Sequence, residues 1–440
     1  MRRLALAALT LAVPGVEARA QAFGDPLLTA TISQSFVADS NYGLDDPRPG
    51  ASYYADTRLI LGLLNETPTQ VFELGLDTGL RALWEADQDF DFTFASPSTA
   101  NVGYAQEWAG AALDTDFRYR QTEIDTADPL GFDDLFDPDT GVPLPPDDID
   151  RSISDITERR YDASVDLELA TDAPSSYEFS LAATRFDYDE TSTSRVPRDT
   201  FTGDALWRLR LTPVLSAAFG GGYSFYSADN LRETEIRTAE ADAGVIYEPN
   251  EALRLDVGLG YADRRKEETL DAGEADERRV DDDRSGPVVR GGLRYQFEDV
   301  LVVADARWTK ASVGSPFTGT LRAVYPLPRG ELSGRVFQRK GGASSGSETE
   351  VQGAAIGLLH EINTVSALNF DLAASRQQDE TAPFEPDITR LDFTATYSRA
   401  LTEVVAANVG YRYRTFDQDP DDADSNSVFF ELARTFTTRP

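Results

Sequence analysis

Apolar and polar residues alternate with a period of two along segments of about ten to thirteen residues, repeated from Leu27 almost to the C-terminus. Leu253, Leu255, Val257, Leu259 and Tyr261 fall on one parity; Arg254, Asp256, Gly258, Gly260 and Ala262 fall on the other. A period of two places successive side chains on opposite faces of an extended strand. The rhythm recurs at Phe72–Leu76, Val165–Leu169, Leu215–Phe225, Leu368–Leu372, Leu391–Tyr397 and Val405–Tyr413. A chain of this kind is restricted to strand architectures.

Alternation alone would also suit a soluble sandwich. Three further features point to a membrane barrel. The polar parity is filled with Gly, Ala, Ser and charged residues, as a water-filled lumen needs, whereas the apolar parity ends in Tyr, Phe or Trp, the girdle residues of membrane barrels. The segments match the roughly nine to eleven residues of a tilted bilayer crossing. Connections alternate in length. Tight turns are expected near Asn65–Thr69, Trp108–Gly110, Asp172–Ser175, Thr212–Pro213, Glu248–Glu251, Glu298–Asp299, Pro326–Arg329, Asn363–Ser366 and Leu401–Glu403. Longer polar links are expected near Ala38–Ser52, Glu85–Ser98, Thr122–Asp155, Glu190–Asp199, Lys266–Arg284, Lys340–Glu348, Asp379–Pro386 and Asp417–Ser425. Short periplasmic turns opposite long outer loops are the habit of outer-membrane barrels. The expected fold is all-β: a closed antiparallel up-and-down transmembrane barrel of about 20 strands, within a range of about 16 to 22. Closure is required, because an open edge in lipid leaves backbone donors and acceptors unsatisfied.

The N-terminus reads as an address. Arg2 and Arg3 precede an apolar stretch from Leu4 to Val13, Pro14-Gly15 breaks it, and small-x-small sites end at Ala20 and Ala22. This is the layout of a secretory signal peptide, so residues 1–22 are assigned to it and 23–440 to a single barrel domain. The last strand places Phe430, Leu432 and Phe436 on one parity, resembling the C-terminal insertion signal of outer-membrane proteins, although Arg434 interrupts the series.

Composition removes other classes. The formal charge of −35, with 76 acidic against 41 basic residues, is unsuited to nucleic acid, whose binding needs clustered Lys and Arg. No Cys is present, which excludes disulfides and thiolate metal sites. Beyond the leader, no apolar run approaches a spanning helix.

The opening Thr31–Tyr42 (TISQSFVADSNY), the hairpin Val245–Arg265 (VIYEPNEALRLDVGLGYADRR) and the ending Val428–Phe436 (VFFELARTF) resemble the β-barrel porin type 2 group of proteobacterial outer-membrane proteins. The resemblance implies a porin-like barrel with its solute open; some members of that group lie beside exopolysaccharide genes.

Candidate chemistry is sparse. The one histidine, His360, shares parity with Ile356 and Leu358 beside a short turn, so it is expected on the outer face at the periplasmic rim rather than as a general base, and no enzyme is expected. Asp417, Asp419, Asp421, Asp422 and Asp424 crowd one expected loop. They begin like a calcium loop, but Asp422 replaces the turn glycine and Val428 the bidentate glutamate; a solvated acidic loop is the expectation, with weak divalent-ion binding as the rival. Asp281–Asp283 and Asp147, Asp148 and Asp150 form similar clusters, and Pro129–Pro146 is a Pro/Asp-rich stretch suited either to a mouth constriction or to an outer loop. Parity directs Arg208, Arg210, Arg254, Arg290, Arg294, Arg322, Arg412 and Arg414 inward, with Asp166, Glu168, Asp256, Asp371 and Asp392 as inward acids. Facing charges of opposite sign would set a transverse field that tunes selectivity; mutual pairing that merely stabilises the wall is the alternative. The total negative charge biases passage toward cations, and the arginines oppose that bias.

The functional expectation is passive passage of small hydrophilic solutes, with no cofactor. The partners are outer-membrane lipid and lipopolysaccharide, and the barrel-assembly machinery during biogenesis. A structural or surface-interaction barrel, or an accessory barrel in polysaccharide export, is the alternative.

Overall fold

The computed structural model describes residues 26–44, 48, 50–84, 90–95, 97–123, 157–189, 196–228, 233–270, 278–311, 317–342, 348–379, 387–418 and 421–438. Residues 1–22, expected to be a signal peptide, the Pro129–Pro146 stretch, the Asp147–Asp150 acids and Asp419 lie outside them. The wall opens with β1 (Leu27–Asp39), β2 (Ser52–Thr67) and β3 (Gln70–Trp84). It continues through β4 (Asp91–Phe94), β5 (Ser98–Trp108), β6 (Ala111–Glu123), β7 (Thr157–Leu169) and β8 (Ser175–Tyr188). Next come β9 (Arg198–Thr212), β10 (Leu215–Ala228), β11 (Thr234–Asn250), β12 (Leu253–Leu270), β13 (Arg278–Phe297) and β14 (Val300–Thr309). The rest is β15 (Phe317–Leu327), β16 (Gly330–Gly342), β17 (Glu348–Asn363), β18 (Ser366–Asp379), β19 (Ile388–Ala400), β20 (Val405–Gln418) and β21 (Asp421–Thr438).

Consecutive strands pair antiparallel, except that β4 and β5 both pair with β3, and β1 returns to pair with β21 from Leu28↔Thr438 to Asp39↔Ser427. The sheet is a closed barrel with 20 positions in its wall. The short β4 does not add a position. It pairs with Leu80–Leu83 of β3, and β5 takes over the same edge from Asp77 to Gln70, so β4 and β5 are one strand broken near Ala95.

The alternation seen in the sequence sorts onto the two faces. Leu255, Val257, Leu259 and Tyr261 lie level with Tyr247, Val245, Ala243 and Ala241 of β11 and are exposed outward, while Gly258 and Ala262 are buried. The outward face carries Leu74, Leu76, Phe179, Leu181, Phe219, Val336, Ile356 and Phe430, all large and exposed. Left in water, so continuous an apolar surface would be an aggregation liability; in lipid it is the required belt. A closed barrel with this belt has the architecture of the bacterial outer membrane, and the chain is an outer-membrane protein.

All nine expected short turns are present, spanning residues 68–69, 109–110, 170–174, 213–214, 251–252, 298–299, 328–329, 364–365 and 401–404. Gly110 (φ 74°) and Gly330 (φ 131°) occupy turn-end conformations that side chains rarely adopt.

The other end departs from expectation. Lys266–Arg284 and Asp417–Ser425 are not long links: β12 runs to Leu270, β13 starts at Arg278, and β20 and β21 are separated only by residues 419–420. These strands continue past the bilayer as charged hairpins. Acid and base two residues apart share a face and bridge there: Asp263–Arg265 at 3.1 Å, Arg279–Asp281 at 3.3 Å and Asp282–Arg284 at 3.0 Å. Asp281–Asp283 are therefore strand residues, as are Asp417, Asp421, Asp422 and Asp424. Among the described residues, no group of three or more acidic or histidine side chains is placed to hold a metal ion.

Candidate functional site: charged tracks on the lumen wall and a clasp at the mouth

The lumen wall is built by register. On β10–β14 the acids lie over glycines of neighbouring strands. Asp242 is level with Gly220 on one side and Gly260 on the other, and Glu240 and Asp204 both flank Gly222. A Cβ at Gly220 would stand 2.5 Å from Asp242 Oδ1, and one at Gly260 would stand 2.6 Å from Asp242 Cβ. The missing side chains let carboxylates lie flat along the wall and reach the arginines beyond. Arg290 of β13 pairs with Asp242, and Arg307 of β14 pairs with Glu240. Similar pairs join other neighbours: Arg58–Asp77 at 2.9 Å, Arg208–Glu178 at 2.7 Å and Arg412–Asp392 at 2.5 Å.

The arginines expected to face acids across the pore therefore divide into two sets. Arg208, Arg290 and Arg412 are neutralised within the wall. Arg412 finds Asp392 on the adjacent strand because the register sets Asp392 level with Arg414, one diagonal step away. Arg414 turns instead to Asp39 at 2.9 Å.

Arg254, Arg294 and Arg322 behave differently, and they acquire a fourth member. The pairing runs Arg254↔Arg294, Arg294↔Val303, Val303↔Arg322 and Arg322↔Arg335. Four arginines thus occupy one lateral row on the lumen face of β12, β13, β15 and β16. Arg254 reaches Glu248 at 3.6 Å. Arg294 and Arg322 are exposed to the lumen and have no ion-pair partner among the described residues. Arg335 was not singled out in the sequence, where it looked like any other strand residue; only lateral register joins it to the row. Arg210 is on the same face of β9, beside a cavity of about 100 Å³ lined by Glu168, Glu178 and Arg208.

The short-turn half of β3–β8, nearly half-way round the ring, is acidic. Asp114 is level with Asp166, Glu168 with Glu178, and Glu73 and Asp116 flank Gly103. Like charges set directly opposite each other destabilise a sheet, so both concentrations are maintained against a cost. The expected transverse field does not follow from them. Twenty strands about 4.8 Å apart and tilted by about 40° enclose a ring about 40 Å across, backbone to backbone. The Debye length near physiological salt is about 8 Å. Screening separates the walls into an arginine track and an acidic track that act independently.

Asp256 and Asp371 also lie on the lumen face. Asp256 is level with Gly292, one register step from the arginine row, and Asp371 is level with Gly357 and accepts a hydrogen bond from Asn369. His360 sits on the outward face, level with Gly330 and Leu368 beside the turn at 364–365. Phe430, Leu432 and Phe436 are outward on β21, and the Arg434 guanidinium lies 4.7 Å from the Phe436 ring centroid, so its stem covers apolar surface while its charge stays at the rim.

At the long-loop end, the segment after β1 was expected to be an outer link. Residues 40–44 fold inward instead. Leu44 (φ 51°) packs with Phe416, Ala423 and Ile388 on the inner face of β19–β21. The Tyr42 ring lies 5.3 Å from Tyr54, and its hydroxyl accepts a 2.6 Å hydrogen bond from Arg81. Arg81 in turn holds Asp56 by two bonds of 2.8 and 2.9 Å. Across the seam, Asp39 accepts from Arg414 and Ser425 and from the backbone N–H of Asn41 at 2.9 Å. These polar groups are almost wholly buried. The segment clasps the first three strands to the last two where the barrel closes.

No protein-family model matches the chain, and no curated protein matches it. Among solved structures, it is similar to the ferric-catecholate import receptor Fiu from E. coli K12 in its open form, at 10% identity and a TM-score of 0.47, covering 94% of this chain and 82% of that one. It is similar to the FrpB iron transporter from Neisseria meningitidis at 8% identity and a TM-score of 0.48, covering 94% and 82%. The copper transporter OprC aligns at 8% identity and a TM-score of 0.45, covering 94% and 81%. By its own strand pairing, the chain is a closed 20-stranded outer-membrane β-barrel.

Proposed function

We propose that the barrel is a porin-like channel for passive passage of small hydrophilic solutes. The observation that carries the reading is the character of the lumen face. Polar and charged residues line it on strand after strand, and all substantial strand–strand contacts are between neighbours in the wall. A barrel of about 16 to 18 strands already leaves an aqueous channel, and this ring is wider. Among the described residues, segment 40–44 folds inward and lies against the wall, and Ala311 after β14 packs on the wall residues Ala262 and Val288. The reading involves no covalent chemistry, which agrees with a solitary outward-facing histidine.

Two independent tracks of opposite sign predict weak overall ion selectivity that shrinks further as salt rises. The test is single-channel recording in planar bilayers from a heat-modifiable sample. Discrete conductance steps with a small reversal potential in a KCl gradient are the expected result. Absence of steps from a correctly folded barrel would overturn the proposal in favour of a structural or surface-interaction role.

A further inference from the structure

We infer that the outward face of β1–β4, near the mouth, is the self-contact of a homodimer: two barrels side by side in the membrane, related by a two-fold axis along its normal. The inference goes beyond the channel reading and does not depend on it.

The apolar face is taller here than on other walls. Along β12 and β18 the outward parity turns charged at the eleventh residue of the strand, Asp263 and Arg376, and along β20 at the thirteenth, Asp417. Along β3 the same parity stays uncharged from Phe72 to Trp84, the last of its 15 residues. All four strands start at a short turn. Four further residues at about 3.3 Å each, on strands tilted by about 40°, lift Trp84 about 10 Å above the height of Asp263. Six aromatic side chains stand in this region: Phe36, Tyr53, Trp84, Phe92, Phe94 and, just before β4, Phe90, each between 46% and 61% exposed. An aromatic girdle marks the height of the interface. These residues instead fill three successive tiers, from Phe94 level with Leu80 up to Tyr53 level with Trp84, whose ring lies 5.0 Å from that of Phe90. The flanks are polar: the Arg48–Asp424 ion pair on one side, and Gln121 level with Arg159 on the other. An exposed apolar patch with a polar rim marks a contact surface.

Area, height and shape assign the patch to a second copy of the chain. The half-exposed aromatic residues offer about 100 Å² each, and the belt residues beneath them bring the total near the roughly 800 Å² per partner of a standard interface. The patch is continuous with the lipid belt, so whatever covers it stands in the membrane beside the barrel. A second barrel inserted the same way carries the same patch at the same height, and a two-fold axis lays the patch on itself. In the middle tier Phe36, Ala55, Ala82 and Phe92 are level on four neighbouring strands. Two convex walls touch along a line and part to either side. The alanines at the centre let the backbones approach, while Phe36 of one copy and Phe92 of the other fill the widening gap. Lipopolysaccharide, with its phosphates and sugars, is better matched by the charged positions at this height on β12, β18 and β20.

The experiment uses the absence of native cysteine. A55C and A82C are placed singly in the full barrel and treated with a short bismaleimide in native outer-membrane vesicles, with A306C on the opposite wall, exposed and level with Gly291, as the control. The expected result is a covalent dimer from A55C and A82C and none from A306C. Adding W84E/F92E to A55C should lower the dimer yield at least about tenfold while heat-modifiable migration is kept. Where W84E/F92E fails to fold, the contrast between A55C and A306C decides alone. No dimer from either alanine position, an equal yield from A306C, or a yield untouched by W84E/F92E in a folded barrel would overturn the inference. Covalent products with a different protein in place of the dimer would give the face to another occupant and overturn it as well.

Discussion

Replacing Arg81 by alanine removes the centre of the clasp at the mouth. Its guanidinium makes two bonds to Asp56, at 2.8 and 2.9 Å, and one of 2.6 Å to the Tyr42 hydroxyl, and it stacks 4.4 Å from the Tyr54 ring centroid. The Arg81 and Asp56 side chains are only 7% and 10% exposed. Removing one partner of a buried ion pair costs about 3 to 5 kcal/mol, because the other charge is stranded. The lost cation–π contact adds about 1 kcal/mol. Water entering from the mouth offsets part of this, so a loss of about 3 kcal/mol is expected for R81A. Much of that loss reflects the stranded Asp56 carboxylate, so D56N/R81A should recover a substantial fraction. The assay is urea unfolding of barrels reconstituted in phospholipid vesicles, followed by tryptophan fluorescence, with limited proteolysis near Tyr42 as a local readout. A loss under about 1 kcal/mol for R81A, with additive D56N and R81A effects and no new cleavage near Tyr42, would refute the clasp.

Leu259, 65% exposed at the middle of the outward face of β12, should tolerate no charge: L259R is expected to destabilise the barrel by about 2 to 4 kcal/mol in lipid, measured by the same unfolding titration. G220V should push Asp242 away from Arg290, since the new Cβ would stand 2.5 Å from its carboxylate; a changed single-channel conductance with a barrel that still folds is the expected outcome. Asp387 precedes β19, above the apolar belt, where hydrogen bonds from Arg376 foremost and then Gln378 hold its carboxyl below the ordinary value. Because the folded value is depressed, the tether is fully present above the unfolded aspartate value of about 3.9 and is lost as pH falls through the folded one. Hydrogen-exchange protection at Gln377 and Ile388, taken relative to the intrinsic exchange rate at each pH, should therefore fall at the acid end of a pH series, and D387N should already show the lower protection at neutral pH.

The belt was legible in the sequence because lipid on one side and water on the other force strict alternation. Leu253–Tyr261 could hardly be read otherwise. The same physics explains what escaped. Above the bilayer both faces of β12 and β13 are wet, so the apolar alternation stops at Tyr261 although the strands continue, and Lys266–Arg284 looked like a loop. The surviving signal was acid and base spaced by two, as in Asp263/Arg265 and Asp282/Arg284. Parity gave the inward direction of Arg254, Arg294 and Arg322, but their assembly with Arg335 into a row depends on lateral register. Register is fixed jointly by turns and by a buried face, and a single strand does not carry it. Tyr42 and Leu44 were invisible for a related reason: nothing in an Asp/Asn-rich connection says that it will turn inward to cover Arg81 and Phe416.

The assignment of faces is tested most directly by a cysteine scan of β12 from Leu253 to Ala262, in a chain that has no cysteine of its own. Labels at residues 255, 257, 259 and 261 should be quenched by lipid-borne quenchers, while cysteines at 256, 258 and 260 should react with a water-borne thiol reagent. A reversed pattern, or uniform water access along both parities, would contradict the barrel account.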